Sequence, residues 1–336
     1  MVKQRLTGFL GTLLLISCSP SASPTAVGNL CAPEIAELEF GISSSESQAG
    51  LKQQWEPLLA VMAETIDRPV NGLYATDYAS VIEAMGSGKI QIAWYGGKAY
   101  IEAAKRSQAE AFVRSVNLDG TQGYYAHLIT HRDNPILEKI DVEAGDGDQH
   151  IITNASDLTF AFNDPNSTSG YLVPSLYVFA ENNINPDVAF KELMFAGSHE
   201  ATALAAANDQ VDVATNNSET LAMMAQSVPE TYEKIQIIWT SPMIPTEPLA
   251  YRSDLPDCLK EEIRTFFYNY QDPEVLAPMG WSDFVPAEDK DWNPIRELDI
   301  GKQILDIQNN QRLDDRVKQQ QIDELNQQLK ALQTAG

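Results

Sequence analysis

The sequence predicts an α/β fold with a largely parallel sheet. Two observations support this prediction: short apolar segments typical of strands recur along the chain, and segments with helical spacing of apolar residues lie between them. Strands and helices therefore alternate, as they do in βαβ units. With 336 residues, the chain is long enough for two ordinary domains or for one protein with two lobes.

The elements follow one another in a regular order. Up to residue 96, strands are predicted at 38–42, 70–74 and 89–96, with helices at 55–66 and 78–85 between them. Further strands are predicted at 124–130, 158–162, 211–215 and 235–239, and further helices at 173–182 and 201–207. Three prolines between residues 242 and 248 indicate a rigid extended crossing, as at a domain hinge.

The C-terminal region predicts an amphipathic helix. It is rich in Gln, Asp and Lys, and its apolar residues are spaced three, four and three apart: Ile322, Leu325, Leu329 and Leu332. This spacing gives one narrow apolar stripe. Two interpretations remain open, because the stripe packs either on the helix's own lobe or along the seam of a homodimer.

The first 31 residues are predicted to lie outside the folded part. Lys3 and Arg5 precede an apolar run at 9–16 and then Cys18, a pattern that resembles the cleavage signal of bacterial lipoproteins. On this interpretation, residues 1–18 are a signal peptide, Cys18 is lipidated, and residues 19–31 are a tether. An ordinary secretory signal is the alternative. The apolar run is too short to span a bilayer.

Composition argues against several kinds of partner. The formal net charge is −24, which disfavours binding to nucleic acid or to anionic lipid through charge. Contact with the membrane is therefore expected only through the lipid anchor. Apart from Cys18, the cysteines are Cys31 and Cys258. In an exported protein an isolated pair is more often a disulfide than two free thiols, and both interpretations stay open.

The most informative stretch is the polar turn at residues 164–170. It lies between the predicted strand 158–162 and a predicted helix, and it places Ser167, Thr168 and Ser169 together with Gly170 at a strand-to-helix turn. The first amides of a helix lack intrahelical partners and carry partial positive charge. With three hydroxyl donors, they predict a site for a desolvated oxyanion. An ordinary helix cap is the alternative.

Two other motifs do not meet the requirements of the sites they suggest. Residues 86–89 resemble part of a phosphate-binding loop, but Glu83 stands where that motif needs glycine, and Ile90 where it needs serine or threonine. His127 and His131 would share one face of a strand, but no third ligand is clustered with them. Neither a metal nor a cofactor is predicted.

Several stretches resemble one known family. They are Phe40-Gly41-Ile42 with Glu46-Ser47-Gln48, Asp77-Tyr78-Ala79, Ala93-Trp94-Tyr95-Gly96, residues 164–174, 199–205, 211–217 and 241–245, Gly280-Trp281, and Pro294-Ile295-Arg296. Through them, roughly residues 38–330 resemble the periplasmic phosphonate-binding proteins of bacterial ABC importers, the PhnD family.

The resemblance implies a type II periplasmic-binding-protein fold, in which two α/β lobes joined by a hinge of two crossings close on a ligand in a central cleft. Lobe 1 would comprise residues 32–130 plus 248–336, and lobe 2 residues 131–247. Cys31 and Cys258 would then lie at the same lobe, which makes their pairing plausible. The implied protein is not an enzyme: it captures phosphonates in the periplasm and delivers them to permease and ATPase subunits.

The resemblance also implies a set of ligand-binding residues. They are Tyr78, Tyr124, Ser167, Thr168, Ser169, His199, Glu219 and Glu247. Glu219 and Glu247 would hold the ammonium group of 2-aminoethylphosphonate or a related alkylphosphonate. Glu247 departs from the family pattern, which has an aspartate there, so the preferred chain length stays open. Phosphite and phosphate would also satisfy the turn at 167–169.

Two functions of other classes compete with this one. A serine hydrolase would use a serine of the turn, His199 and Glu219, although no Gly-x-Ser-x-Gly elbow is present. A lipoprotein that binds no ligand and acts through protein contacts is the other. It predicts no thermal shift with any small anion.

Overall fold

The structure, a computed structural model, describes residues 31–335, and two separate β-sheets form its framework. The strands are β1 (Leu38–Ile42), β2 (Val70–Tyr74), β3 (Ile92–Trp94), β4 (Ala109–Asn117), β5 (Gly123–Tyr124), β6 (Ala126–His131), β7 (Thr159–Phe162), β8 (Glu192–Phe195), β9 (Val213–Asn217), β10 (Ile235–Thr240), β11 (Ile244–Pro245), β12 (Pro248–Arg252) and β13 (Trp281–Pro286). The helices are α1 (Gln48–Thr65), α2 (Tyr78–Gly86), α3 (Gly97–Arg106), α4 (Gly147–Asn154), α5 (Pro186–Ala189), α6 (His199–Ala207), α7 (Ser218–Ser227), α8 (Pro229–Tyr232), α9 (Asp257–Asn269), α10 (Pro273–Leu276), α11 (Asn293–Asn309) and α12 (Asp315–Ala335).

Both sheets are mixed, which corrects the prediction of a largely parallel sheet. The six-stranded sheet of lobe 1 has the order β13-β4-β12-β3-β1-β2, and the five-stranded sheet of lobe 2 the order β10-β6-β9-β7-β8. β1 pairs in parallel with β2 and β3, and β7 with β8 and β9. β12 and β6 pair antiparallel with both neighbours. Each of these two strands follows a crossing from the other lobe, β6 after β5 and β12 after β11. The chain therefore enters each sheet from the hinge, and the strand runs opposite to its neighbours.

Two extended crossings join the lobes. β5 leads into lobe 2, β11 leads back, and the two pair antiparallel with Ile244 opposite Tyr124. The extended crossing predicted at 241–248 is thereby confirmed. Residues 126–130 belong to β6 and hence to the sheet of lobe 2, although the sequence analysis placed them in lobe 1. The error arose because the chain changes lobe at β5, where the alternating pattern of residues 124–130 shows no interruption.

Most predicted elements are present with shifted ends. β1 and β2 have the predicted bounds. α1 begins well before residue 55, because the Ser47 hydroxyl accepts a hydrogen bond from the Gly50 amide at 3.4 Å and caps the helix there. The helix predicted at 173–182 begins earlier, with two wide π-helical turns at Thr168–Leu172 and Ser175–Phe179.

The C-terminal helices pack on their own chain. α12 contacts α11, and the predicted apolar stripe is shielded from solvent: Leu325 is buried, and Ile322, Leu329 and Leu332 are half-buried. α11 in turn contacts α3 of lobe 1 and the wide helical turns of lobe 2. Packing of α12 within its own chain therefore accounts for much of the burial of the apolar stripe.

A disulfide joins Cys31 to Cys258 on α9, with their Cα atoms 6.0 Å apart. It ties the first described residue to lobe 1. The predicted signal peptide (1–18), the lipidation site Cys18 and nearly all of the tether lie outside the described residues. Within residues 31–335, no helix combines the length and apolar character that crossing a membrane requires.

Candidate ligand-binding site

One cavity between the lobes is lined by all eight residues predicted to bind the ligand. Its volume is about 470 Å³, and these residues are Tyr78, Tyr124, Ser167, Thr168, Ser169, His199, Glu219 and Glu247. Among the described residues that line the cavity, there is no Lys or Arg. Three of the lining residues are acidic: Asp119, Glu219 and Glu247. An anion in this cavity must therefore be held by neutral donors.

The turn after β7 is shaped by a helix cap and a glycine. Ser167 has extended backbone angles (φ −77°, ψ 140°), and its Oγ accepts a hydrogen bond from the Gly170 amide at 3.0 Å, so the helix begins at Thr168. A Cβ at Gly170 would collide with Asn163 and lie 2.8 Å from Ser167 Oγ. Glycine is needed here for close packing, and not for the tight backbone turn that the sequence suggested.

Two serine hydroxyls of the turn converge on one histidine. Ser167 Oγ and Ser169 Oγ each lie 3.4 Å from His199 Nε2. Asn163 Nδ2 donates to Ser167 Oγ and Asn217 Nδ2 to Ser169 Oγ, both at 3.4 Å. Hydrogen bonds of this length are weak. The hydroxyls are thus positioned by neighbours that an oxyanion can readily replace.

Thr168 connects the turn to the other lobe. Its Oγ1 accepts a hydrogen bond from the backbone amide of Lys98, in the first turn of α3, at 2.8 Å. Gly96, which precedes α3, lines the cavity. The N-termini of two helices, one from each lobe, therefore meet at the cavity, and both carry partial positive charge there.

His199 is a neutral donor or acceptor. It is the first residue of α6, where Ser198 caps the helix by accepting from the Ala201 amide at 3.1 Å. Burial lowers the pKa of His199 to about 3, so the imidazole is uncharged at neutral pH. Its Nδ1 is buried without a hydrogen-bond partner among the described residues.

Tyr78 and Tyr124 supply two more neutral hydroxyls. Tyr78 begins α2, and its Oη accepts from Asn163 Nδ2 at 3.5 Å. Tyr124 lies on the hinge strand β5, and its hydroxyl is close to the side chains of Ser169 and Glu247. Burial raises the pKa of both phenols, so both keep their protons.

Glu219 and Glu247 bring two carboxyl groups together. Glu219 is in the first turn of α7, and Glu247 ends the crossing just before β12. Their carboxyl groups lie close enough to affect each other's protonation, and Glu219 Oε1 has no hydrogen-bond partner among the described residues. Burial raises the pKa of both groups, and the neighbouring Glu247 raises that of Glu219 further. At neutral pH the pair therefore retains a proton in the free protein.

The lobes touch at the rim of the cavity. The His199 amide donates to the Ser45 carbonyl at 2.8 Å, and the Ser47 amide donates to Glu200 Oε2 at 2.7 Å. Glu46 lies between these contacts. Burial, and then the charge of Glu200, raise the pKa of Glu46 to about 7. The structure therefore shows the lobes closed on each other.

Sequence reasoning missed the residues that position the hydroxyls. Asn217 is the cap of α7, where its Oδ1 accepts from the Thr220 amide at 2.7 Å and leaves Nδ2 to donate to Ser169. Its position just after the predicted strand 211–215, followed by Ser218 and Glu219, is typical of a helix cap and was a usable signal for it. Asn163 follows β7 directly, but no local pattern shows that it contacts Tyr78 of the other lobe.

Within residues 31–335, no group of three His, Cys, Asp or Glu side chains is arranged to hold a metal ion. The site consists instead of hydroxyls, helix N-termini and a neutral imidazole beside two carboxyls. Such a set can bind an oxyanion and a nearby cation together.

The strand order, the two crossings and the cavity between the lobes define a type II periplasmic binding protein. The family described as "ABC transporter, phosphonate, periplasmic substrate-binding protein" matches residues 40–292. The Phosphonates-binding periplasmic protein of Escherichia coli (strain K12) is 39% identical over 324 residues, which cover 94% of this chain and 93% of that protein. The chain belongs to this family of periplasmic phosphonate-binding proteins of ABC transporters.

Solved structures agree. A binding-protein component of an ABC phosphonate transporter from Pseudomonas aeruginosa is 41% identical, with a TM-score of 0.83 and coverage of 89% of this chain and 97% of that chain. PhnD1 from Prochlorococcus marinus (MIT 9301), in complex with methylphosphonate, is 18% identical, with a TM-score of 0.69 and coverage of 78% and 97%. The second comparison supports the fold alone.

Proposed function

We propose that this protein captures alkylphosphonates that carry an ammonium group, such as 2-aminoethylphosphonate, and delivers them to the permease and ATPase subunits of an ABC importer. One observation carries the proposal: an oxyanion site of neutral donors and a buried pair of carboxyl groups line the same cavity. The ligand must therefore present an anionic end and a cationic end.

The anionic end fits the turn at 167–169. A phosphonate has three oxygens, and a carbon takes the place of the fourth oxygen of phosphate. The hydroxyls of Ser167, Thr168 and Ser169, with His199 and Tyr78, supply donors around that group. Hydrogen bonds from such donors to a charged oxygen are about twice as strong as neutral ones.

The cationic end fits Glu219 and Glu247. Two carboxyls beside a bound anion would repel it, unless the ligand also brings a positive charge. An ammonium group between them would replace the retained proton and donate to the unpartnered Glu219 Oε1. Phosphite, phosphate and methylphosphonate lack this group, so the carboxyl pair disfavours them.

Hydrolysis has less support. A serine nucleophile needs a histidine that a third group orients. In the described part of the chain, His199 Nδ1 has no hydrogen-bond partner, so neither Glu219 nor any other group orients the imidazole through it. A lipoprotein that binds no ligand would not account for the buried, partly unsatisfied groups that surround the cavity.

The proposal also includes how the protein is anchored, where its lobes begin and end, and how two copies could associate. Lipidation of Cys18 and a tether over residues 19–31 would hold the protein at the membrane while the lobes open and close. Lobe 1 would extend from residue 32 to the crossing at β5 and from 248 onward. A homodimer through α12 would use the parts of the apolar stripe that α11 leaves exposed.

Calorimetric titration of the protein without its signal peptide tests the proposal. The ligands are 2-aminoethylphosphonate, methylphosphonate, phosphite and phosphate, in parallel. We expect 2-aminoethylphosphonate to bind at least about tenfold more tightly than the others, because a charge-assisted hydrogen bond contributes roughly 1.5–3 kcal/mol. Tighter binding of methylphosphonate or phosphite would contradict the role of the carboxyls. Binding of none would contradict the receptor function.

A further inference from the structure

The cavity is larger than the ligand of the proposed function. 2-Aminoethylphosphonate has about seven non-hydrogen atoms, which fill on the order of 200 Å³ even at the roughly 30 Å³ that a water molecule occupies in the liquid. The cavity measures about 470 Å³. The ligand therefore fills only part of the cavity.

Helix α7 shows where this space extends. Glu219 lies in its first turn, and Met223 and Gln226 follow four and seven positions later on the same face. All three line the cavity. A rise of 1.5 Å per residue places Gln226 about 10 Å beyond Glu219 along the helix. We call this space, bounded by Met223, Gln226, Gln54 and Trp94, the annex.

The facing wall of the annex belongs to lobe 1 and is aromatic. Gln54 Nε2 on α1 lies 3.2 Å from Met223 Sδ, so the side chains of α1 and α7 meet and close the annex on one side. Trp94 packs against Trp55 and Trp281, with ring centroids 5.6 and 6.4 Å away. The Trp94 ring is partly exposed and lines the cavity.

The chemistry of these walls selects a type of substituent. Methionine and tryptophan provide apolar and polarizable surface for alkyl groups. The annex begins at the carboxyl pair, which is the place expected for the ligand's nitrogen. An aromatic face beside carboxyl groups also favours a substituent attached to a cationic nitrogen. A group on that nitrogen would enter the annex directly, whereas a group on the phosphonate end would meet the turn at 167–169.

We propose that the annex is a subsite for substituents on the ligand's nitrogen, so that the protein binds N-alkylated aminoalkylphosphonates. This inference rests on the proposed function, because the turn at 167–169 must hold the phosphonate end. The alkyl chain lies between Met223 and Trp94, and the ammonium group keeps hydrogens to donate to Glu219 and Glu247.

Titration with N-butyl-2-aminoethylphosphonate and 2-aminoethylphosphonate tests this inference. Each buried methylene contributes about fourfold in affinity before ordering costs. We therefore expect the butyl ligand to bind about tenfold more tightly than the parent. Met223→Trp, which fills the annex, should reverse this ratio to below one. Leu204→Trp, on the exposed surface of α6 outside the cavity, is the matched control and should leave the ratio unchanged.

The outcomes separate the two proposals. Parent binding with butyl binding at least tenfold weaker would overturn the annex and leave the proposed function intact. A ratio that Met223→Trp does not change would also overturn the annex as placed here, provided the variant's thermal unfolding shows that it folds. Binding of neither ligand would contradict the proposed function itself.

Discussion

The oxyanion site and the carboxyl pair share one cavity but are built in opposite ways. The oxyanion site comes from one short turn, Ser167 to Ser169, fixed by a helix cap and by a glycine that packs against Asn163. The carboxyl pair joins Glu219 of α7 to Glu247 of the hinge crossing. The first is a set of neutral donors, and the second is a pair of groups that repel each other when both are charged.

Because one part is neutral and the other can carry charge, the two parts are expected to recognise different ends of the ligand. Neutral donors do not repel one another, so the hydroxyls of the turn lie together without a counter-charge. Burial raises the pKa of both carboxyls, and Glu247 raises that of Glu219 further, so the pair keeps a proton until a cation replaces it. In the proposed function, the turn would provide affinity for any phosphonate, whereas the carboxyls would provide selectivity for one that carries an amine.

The largest loss of ligand affinity is expected when one donor of the turn is removed. Ser169→Ala deletes the hydroxyl that lies near His199 Nε2 and Asn217 Nδ2. A hydrogen bond to a charged group contributes roughly 1.5–3 kcal/mol, so we expect every phosphonate to bind about ten- to a hundredfold more weakly. Calorimetric titration with 2-aminoethylphosphonate and with methylphosphonate measures the effect.

The matched control for this variant is Ser87→Ala, since Ser87 is exposed at the end of α2 and away from the cavity. It should not change either affinity. If Ser169→Ala weakened only the amine-bearing ligand, the division between turn and carboxyls would be wrong.

A smaller effect concerns the rim, where Glu46 and Glu200 oppose each other across the lobes. The raised pKa of Glu46, about 7, means that the closed, folded protein favours the protonated carboxyl. This contribution to stability is complete below the ordinary pKa of glutamate and is lost as pH rises through about 7. Glu46→Gln should therefore match the wild type at pH 4 and exceed its free energy of unfolding at pH 8 by about 1–3 kcal/mol.

Urea denaturation at the two pH values checks this prediction. Glu64→Gln, at an exposed position near the end of α1, serves as control. It should show no pH-dependent gain in the free energy of unfolding. A Glu46→Gln protein that is less stable than the wild type at pH 8 would show that the charged form of Glu46 is favoured at the rim.

The turn of the proposed oxyanion site could be predicted because the residues that shape it are consecutive in the sequence. Hydroxyl residues, a glycine and the start of a helix lie within residues 164–174, after a strand whose apolar run is plain. The predicted bounds of β1 and β2 held for the same reason. Glu219 and Glu247 were named only through the resemblance to a family, since no local pattern brings them together.

The remaining features depend on contacts between distant segments. The direction of β6 and β12 follows from the crossings, and Asn163 acquires its role only because Tyr78 approaches from the other lobe. The annex needs α7, α1 and Trp94 in place at once. Sequence periodicity identifies each of these elements but does not show which faces meet.

The most direct test of the account compares Glu219→Gln with the wild type, using 2-aminoethylphosphonate and methylphosphonate as ligands. The substitution keeps the shape of the side chain and removes its charge. We expect the amine-bearing ligand to bind at least about tenfold more weakly, and methylphosphonate to bind about equally, because Glu219 keeps its proton when no cation is bound. An equal loss of affinity for both ligands, or no loss for 2-aminoethylphosphonate, would contradict the claim that the carboxyl pair reads the cationic end of the ligand.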